Sequence, residues 1–180
     1  MNVFEPEGLW DAVRDRLAHP AALSWLALIP VVGAFAVGIA AETGVRLFNT
    51  EWHPVFGYSA RPDADGSRFR ALWVALALSP YLQGGVGALL LPMYGCARRW
   101  RAAIAVAVVG SVPLYVAGLT MVWLPGIFLV LGAFFVSFVW WFNGARELLD
   151  VPHSEAMEFV TITLIGSSAA VFLLTAALPI

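Results

Sequence analysis

Five stretches of about twenty residues, each free of charged side chains and of histidine, dominate this chain: 21–41, 71–94, 102–122, 124–145 and 159–180. A helix rises about 1.5 Å per residue, so a run of that length crosses the roughly 30 Å hydrocarbon layer of a bilayer. Backbone polar groups find no water there, which leaves the helix as the spanning form for such runs. Composition agrees: 61% of the 180 residues are hydrophobic and 12% are charged, against about 45–50% and about 25% in soluble domains. The sequence therefore predicts an all-α, polytopic membrane protein. An N-terminal interfacial segment, 1–20, precedes a five-helix bundle over 21–180.

Little chain is left between the runs. The longest polar stretch, 42–70, contains "RPDADGSR" and reads as a turn-rich loop too short for a core of its own. The first run is too long for the apolar part of a cleaved signal, and it follows four acids and two arginines, so it reads as a retained helix. Ahead of it, Leu9, Val13 and Leu17 share a helical face beside Trp10, while Asp11, Arg14 and Asp15 point elsewhere. That pattern fits either a helix lying in the membrane interface or a solvated terminus.

Orientation follows from arginine, because the chain has no lysine. With the N-terminus inside, Arg14, Arg16, Arg98, Arg99, Arg101 and Arg146 fall inside, and Arg46, Arg61, Arg68 and Arg70 outside. The four outer arginines share a long loop with four acids, whereas the turn "MYGCARRW" and Arg101 bring three arginines and no acid. The positive-inside rule then places the C-terminus outside. Arg98, Arg99 and Arg101 either simply fix the two flanking helices or also contact anionic lipid or an acidic partner surface, at the depth that suits Tyr94 and Trp100.

Several chemistries are missing. Without lysine there is no Schiff base and no P-loop lysine. One cysteine, Cys96, makes neither an internal disulfide nor a cysteine-rich metal site. His19, His53 and His153 lie outside the runs, so no pair is set to clamp a haem. Asp150, His153, Glu155 and Glu158 crowd the approach to the fifth run. Ser154 as helix cap, with Glu155 and Glu158 in the first turn, accounts for them better than a divalent-metal site does. Neither cofactor nor metal is expected, and no nucleic-acid partner.

Inside the runs the strongest polar feature is "SPYLQGG". Pro80 frees a backbone carbonyl, and Tyr81 and Gln83 can bond nearby, either lining a groove or kinking and tying helices. Pro113 breaks the third run in the same way, and both freed carbonyls should face protein or water. Gly84, Gly85 and Gly87 permit close packing, as do the small-residue stripes Ala103, Ala107, Ser111 and Gly166, Ala170.

The run "LLLPMYGCARRWRAAIAVAVVGSVPLYVAGL", followed by "LPGIFLVLGAFFVSFVWWFNGARELLDVPHSEAMEFVT", resembles the bacterial branch of the Yip family. These are five-span membrane proteins named for interaction with Ypt/Rab GTPases. The resemblance covers residues 86–175 and rests on Pro92, Tyr94-Gly95 closing the second helix, Pro113 in the third and Pro125 opening the fourth, then Phe142, Gly144, Pro152 and Ala156. Two positions depart from it: Cys96 stands where a second glycine is common, and Gly110-Ser111 where an aromatic is usual. The resemblance implies partner binding rather than catalysis. The expected function is a non-enzymatic, Yip-type protein of a bacterial cytoplasmic membrane, organising membrane or partner proteins through helix packing and its arginine turn. Its partners would be membrane lipids and either a second copy or another membrane protein. The alternative is a small-solute or lipid transporter using Pro80, Tyr81 and Gln83 as its groove.

Overall fold

The structure, a computed structural model, describes residues 8–19, 21–48, 52–53, 58–59, 67–122 and 126–177. Its helices are α1 (Leu9–Leu17), α2 (Ala22–Phe48), α3 (Ser67–Leu90), α4 (Trp100–Gly118), α5 (Gly126–Leu149) and α6 (His153–Ala177). One-turn 3-10 segments extend α3 over Leu91–Tyr94 and α4 over Leu119–Val122.

Among the described residues four helical spans are long and apolar enough to cross a membrane: Ser24–Thr43, Trp73–Tyr94, Trp100–Gly118 and Phe128–Leu149. The fifth expected run is carried by α6 as far as Ala177, and 178–180 lie outside the described residues. The loop expected over 42–70 is shorter at both ends. Helix α2 continues to Phe48, with no proline to stop it, and α3 already begins at Ser67. Most of "RPDADGSR" lies outside the described residues. Within the loop, β1 (Trp52–His53) pairs antiparallel with β2 (Tyr58–Ser59), Trp52 opposite Ser59 and His53 opposite Tyr58. This two-residue ladder, at aromatic residues that favour extended backbone, is the one departure from an all-helical chain among the described residues.

Helix α4 is the centre of the bundle and packs against α2, α3 and α5, while α6 lies mainly on α3. The reason is size. Ala103, Ala105, Val106, Ala107 and Val108 are fully buried, and the stripe Ala103, Ala107, Ser111 faces protein along its length. Small side chains let backbones approach closely, which maximises dispersion contacts where lipid supplies no hydrophobic drive between helices. Glycines in α3 and α4 do the same. A Cβ on Gly84 of α3 would lie 2.6 Å from the Ile104 Cα of α4, and one on Gly118 would meet Val37 of α2 at 2.6 Å. Gly85, grouped with these by sequence, faces open space.

Helix α1 forms, and its apolar face is spent on the protein. Trp10 and Val13 are buried in the main core, with Leu9 and Leu17 packed beside them. Gly144 of α5 makes the seat, since a Cβ there would lie 2.7 Å from Trp10 Cη2. Arg14 pairs with Asp11 at 2.9 Å and donates to the Glu147 carbonyl. The helix opens on Gly8, whose φ of 74° favours glycine, and its end tightens through Ala18 N–H to Asp15 O at 3.2 Å, ahead of Pro20.

Candidate functional site

The residues singled out in the sequence gather in two places. One is the end of the bundle where the α3–α4 turn, the α5–α6 link and α1 meet. The other is a layer inside α2, α3 and α4 built from prolines and tyrosines.

At the bundle end, Pro92 and Tyr94 belong to the 3-10 turn that closes α3, and Gly95 stops it with φ 71°. Gly95 N–H bonds Pro92 O at 3.3 Å, and Cys96 N–H reaches back to Leu91 O at 3.1 Å. This is the paired closure that left-handed glycine makes at helix ends. The Tyr94 ring meets Phe159 of α6 edge to face, centroids 5.4 Å apart. Phe142 lies edge-on to His153 at 5.7 Å, and the Arg146 guanidinium stands 5.7 Å above the same ring. Ala156 is fully buried, and Gly144 holds Trp10. Pro125 lies outside the described residues.

Ser154 is not the cap of α6. The helix begins at His153, and Pro152 supplies the opening carbonyl to Glu155 N–H at 3.0 Å and Ala156 N–H at 2.9 Å. Proline suits a helix start, where its missing N–H costs nothing. Ser154 therefore sits inside the first turn, and Glu155 remains there as expected. Among the described residues no three histidine, cysteine or acidic side chains are grouped to hold a metal.

The three arginines of the turn are not equivalent. Arg99 pairs with Asp150 Oδ2 at 2.6 Å and donates to Leu148 O at 3.3 Å, so an acid distant in sequence supplies what the turn lacks. Asp150 takes φ 59°, the one positive φ outside glycine among the described residues, and closes α5 in a conformation that aspartate tolerates. Arg98 and Arg101 are exposed. Cys96 is half-buried, its thiol 3.4 Å from both Tyr94 O and Asp150 O. Burial pushes this thiol above its ordinary pKa, the Asp150 charge adds to that, and Arg99 opposes it in part. Neighbouring arginines thus do not make Cys96 a ready thiolate.

The second place shows what the hydroxyls beside the prolines bond to. A proline offers no N–H to the carbonyl four residues earlier. Pro80 thereby releases Leu76 O, and the Tyr115 hydroxyl of α4 donates to it at 2.9 Å. One helix over, Pro30 of α2 releases Leu26 O, and the Tyr81 hydroxyl of α3 donates to it at 3.0 Å, shared with Ala27 O at 3.3 Å. Gly33 makes room for the Tyr115 ring, since a Cβ there would lie 2.8 Å from it. Trp73 Nε1 adds a bond to Val31 O at 3.3 Å. Pro30 and Pro80 are themselves fully buried.

So Tyr81 ties α3 to α2. The expectation that the carbonyl freed by Pro80 faces protein holds, and it extends to Pro30, which sequence reasoning passed over. A proline in the middle of one run and a tyrosine in a neighbouring run were the available signal. Gln83 donates from Nε2 to Ser79 Oγ at 3.2 Å, while its Oε1 is buried without a partner among the described residues. In comparison with known proteins, no family model, no curated protein and no solved structure matches this chain.

Proposed function

We propose that the chain is a non-enzymatic integral membrane protein of Yip type, organising membrane or partner proteins through helix packing and the arginine turn. In this reading α6 is a fifth span, the N-terminus lies inside a bacterial cytoplasmic membrane and the C-terminus outside. Six arginines against four support the orientation. The observation that carries the functional reading is the inward use of the polar layer: the Tyr81 and Tyr115 hydroxyls, the groups best suited to line a path, serve the carbonyls beside Pro30 and Pro80. Mobile charge normally requires an ionisable group within a span, and the four described spans carry charge only in their end turns, at Glu42, Arg101, Arg146 and Glu147. Proteoliposomes holding only this protein should show no selective flux. Photo-crosslinking from exposed Ala97 should recover a second copy or a membrane-protein partner.

One observation favours the transporter reading, the unpartnered buried oxygen of Gln83. Selective flux abolished by Gln83→Ala would replace the organising role with that one.

A further inference from the structure

We propose that Arg98 and Arg101, with Trp100 between them, hold the phosphodiester headgroup of an anionic phospholipid, while Arg99 only builds the turn. This deepens the organising role above, from which it takes the placement of the turn at a membrane face.

The division starts from geometry. Arg99 turns its Nη1 toward both an acid and a carbonyl at the α5 end, and the Asp150 carboxylate already answers its charge. Arg98 and Arg101 are exposed, and neither makes an ion pair or hydrogen bond among the described residues. Two free guanidinia three positions apart offer the forked donors that suit a phosphate's oxygens.

The surroundings decide between a lipid and a protein surface. Trp100 is 46% exposed and Met93, on the preceding turn, is 77% exposed. Both stand where the spans Trp73–Tyr94 and Trp100–Gly118 end, the level at which acyl chains give way to headgroups. A phospholipid presents phosphate and apolar chain together at that level, matching the arginines and the exposed Trp100 and Met93 at once. An acidic protein surface would satisfy the arginines and leave Trp100 and Met93 uncovered. Helix α4 adds to the attraction, because its first turn has no acid and its cap residue makes no side-chain bond to the opening N–H groups.

The test is lipid retention by the purified full chain in detergent, read by native mass spectrometry with phosphatidylglycerol or phosphatidylcholine added. Phosphatidylglycerol should be held in preference to phosphatidylcholine. The R98Q/R101Q variant should lose roughly thirtyfold in affinity, about fivefold for each juxtamembrane arginine. R98K/R101K, which keeps the charge and loses the forked donors, should fall between wild type and R98Q/R101Q, and R99Q should change it by about twofold or less. Glycerol phosphate should not displace the lipid, since it lacks the chain that Trp100 and Met93 cover. Equal retention of the two lipids, or an R98Q/R101Q variant that keeps wild-type retention, would overturn the proposal. Displacement by glycerol phosphate would reduce the surface to a simple anion site and overturn its lipid assignment. Unchanged lipid retention with loss of a crosslinked acidic partner would hand the pair to a protein surface. Lipid retention and flux are measured separately, so failure here leaves the organising role standing, and flux in proteoliposomes leaves this result standing.

Discussion

Helices α4 and α5 follow each other in the chain and have nearly equal hydropathy, yet 56% of the α4 span is buried in the protein against 22% of the α5 span. In α4 the buried residues are mostly alanine and valine, and the stretch from Ala105 to Val108 has no exposed surface. In the first half of α5 they are large: Phe128 is 73% exposed and Phe135 69%. A soluble protein would bury the phenylalanines first, because water penalises their area. Lipid tails penalise them hardly at all, so what sorts the two helices is how closely a backbone can be approached. Hydropathy finds a span, and side-chain size finds its place in the bundle.

The largest test of that contrast exchanges size at one glycine on each helix. Gly110 of α4 lies directly under the Trp141 ring, whereas a Cβ on Gly132 of α5 would have nothing within 4 Å of it. Gly110→Val should cost about 3 kcal/mol in denaturant titrations of the detergent-solubilised protein. Gly132→Val should stay within about 0.5 kcal/mol. Equal effects at the two sites would break the comparison.

A smaller effect is expected from the hydroxyls that serve the proline carbonyls. Tyr115→Phe leaves Leu76 O without its donor and should cost about 1 kcal/mol. In a Pro80→Ala background, where the helix supplies its own N–H, that cost should fall by roughly half or more. Tyr81→Phe should behave likewise against Pro30→Ala. A Tyr115→Phe cost that is the same in both backgrounds would mean that the hydroxyl does not compensate the proline. Phe135→Leu on the lipid side of α5 supplies the control, with a change near zero.

The joint between the two helices should give least. Arg99 and Asp150 are each about half exposed, and a double-mutant cycle on them should yield about 0.5 kcal/mol or less. At the same joint, Cys96 should react with an impermeant maleimide in inverted vesicles and not in intact cells. The reaction should run slower than with an unburied thiol and gain speed as pH rises past the ordinary thiol range. The raised pKa means less thiolate at neutral pH, and the shortfall closes only as the thiol finally ionises. Fast labelling of intact cells would reverse the orientation.

The helices themselves were readable in the sequence because spanning runs are long and their apolarity is continuous. The α3 closure was readable too, since Tyr94-Gly95 ends a helix by a backbone requirement that glycine alone meets cheaply. What stayed hidden depended on which helix lies beside which. Nothing near Arg99 distinguishes it from Arg98 or Arg101; the distinction comes from Asp150 across the bundle end. The tie made by Tyr81 stayed hidden because its partner, Leu26 O, is a backbone atom of another helix made available by Pro30. Ser154 was misplaced by a local rule, since both it and Pro152 suit a helix start and the backbone chose the proline.

The seat of Trp10 has a consequence for how the protein is made. The seat includes Gly144 of α5, beside Val106 of α4, and Arg14 anchors to a carbonyl 133 residues further along. During synthesis α1 emerges before α4 and α5, and its place does not exist until both have been translated and inserted. Over that interval Trp10 and Val13 have only the membrane surface or an assembly factor to cover them. Docking of α1 is therefore among the last steps of biogenesis, and a nascent chain cut before Gly144 should leave its first helix free to protease.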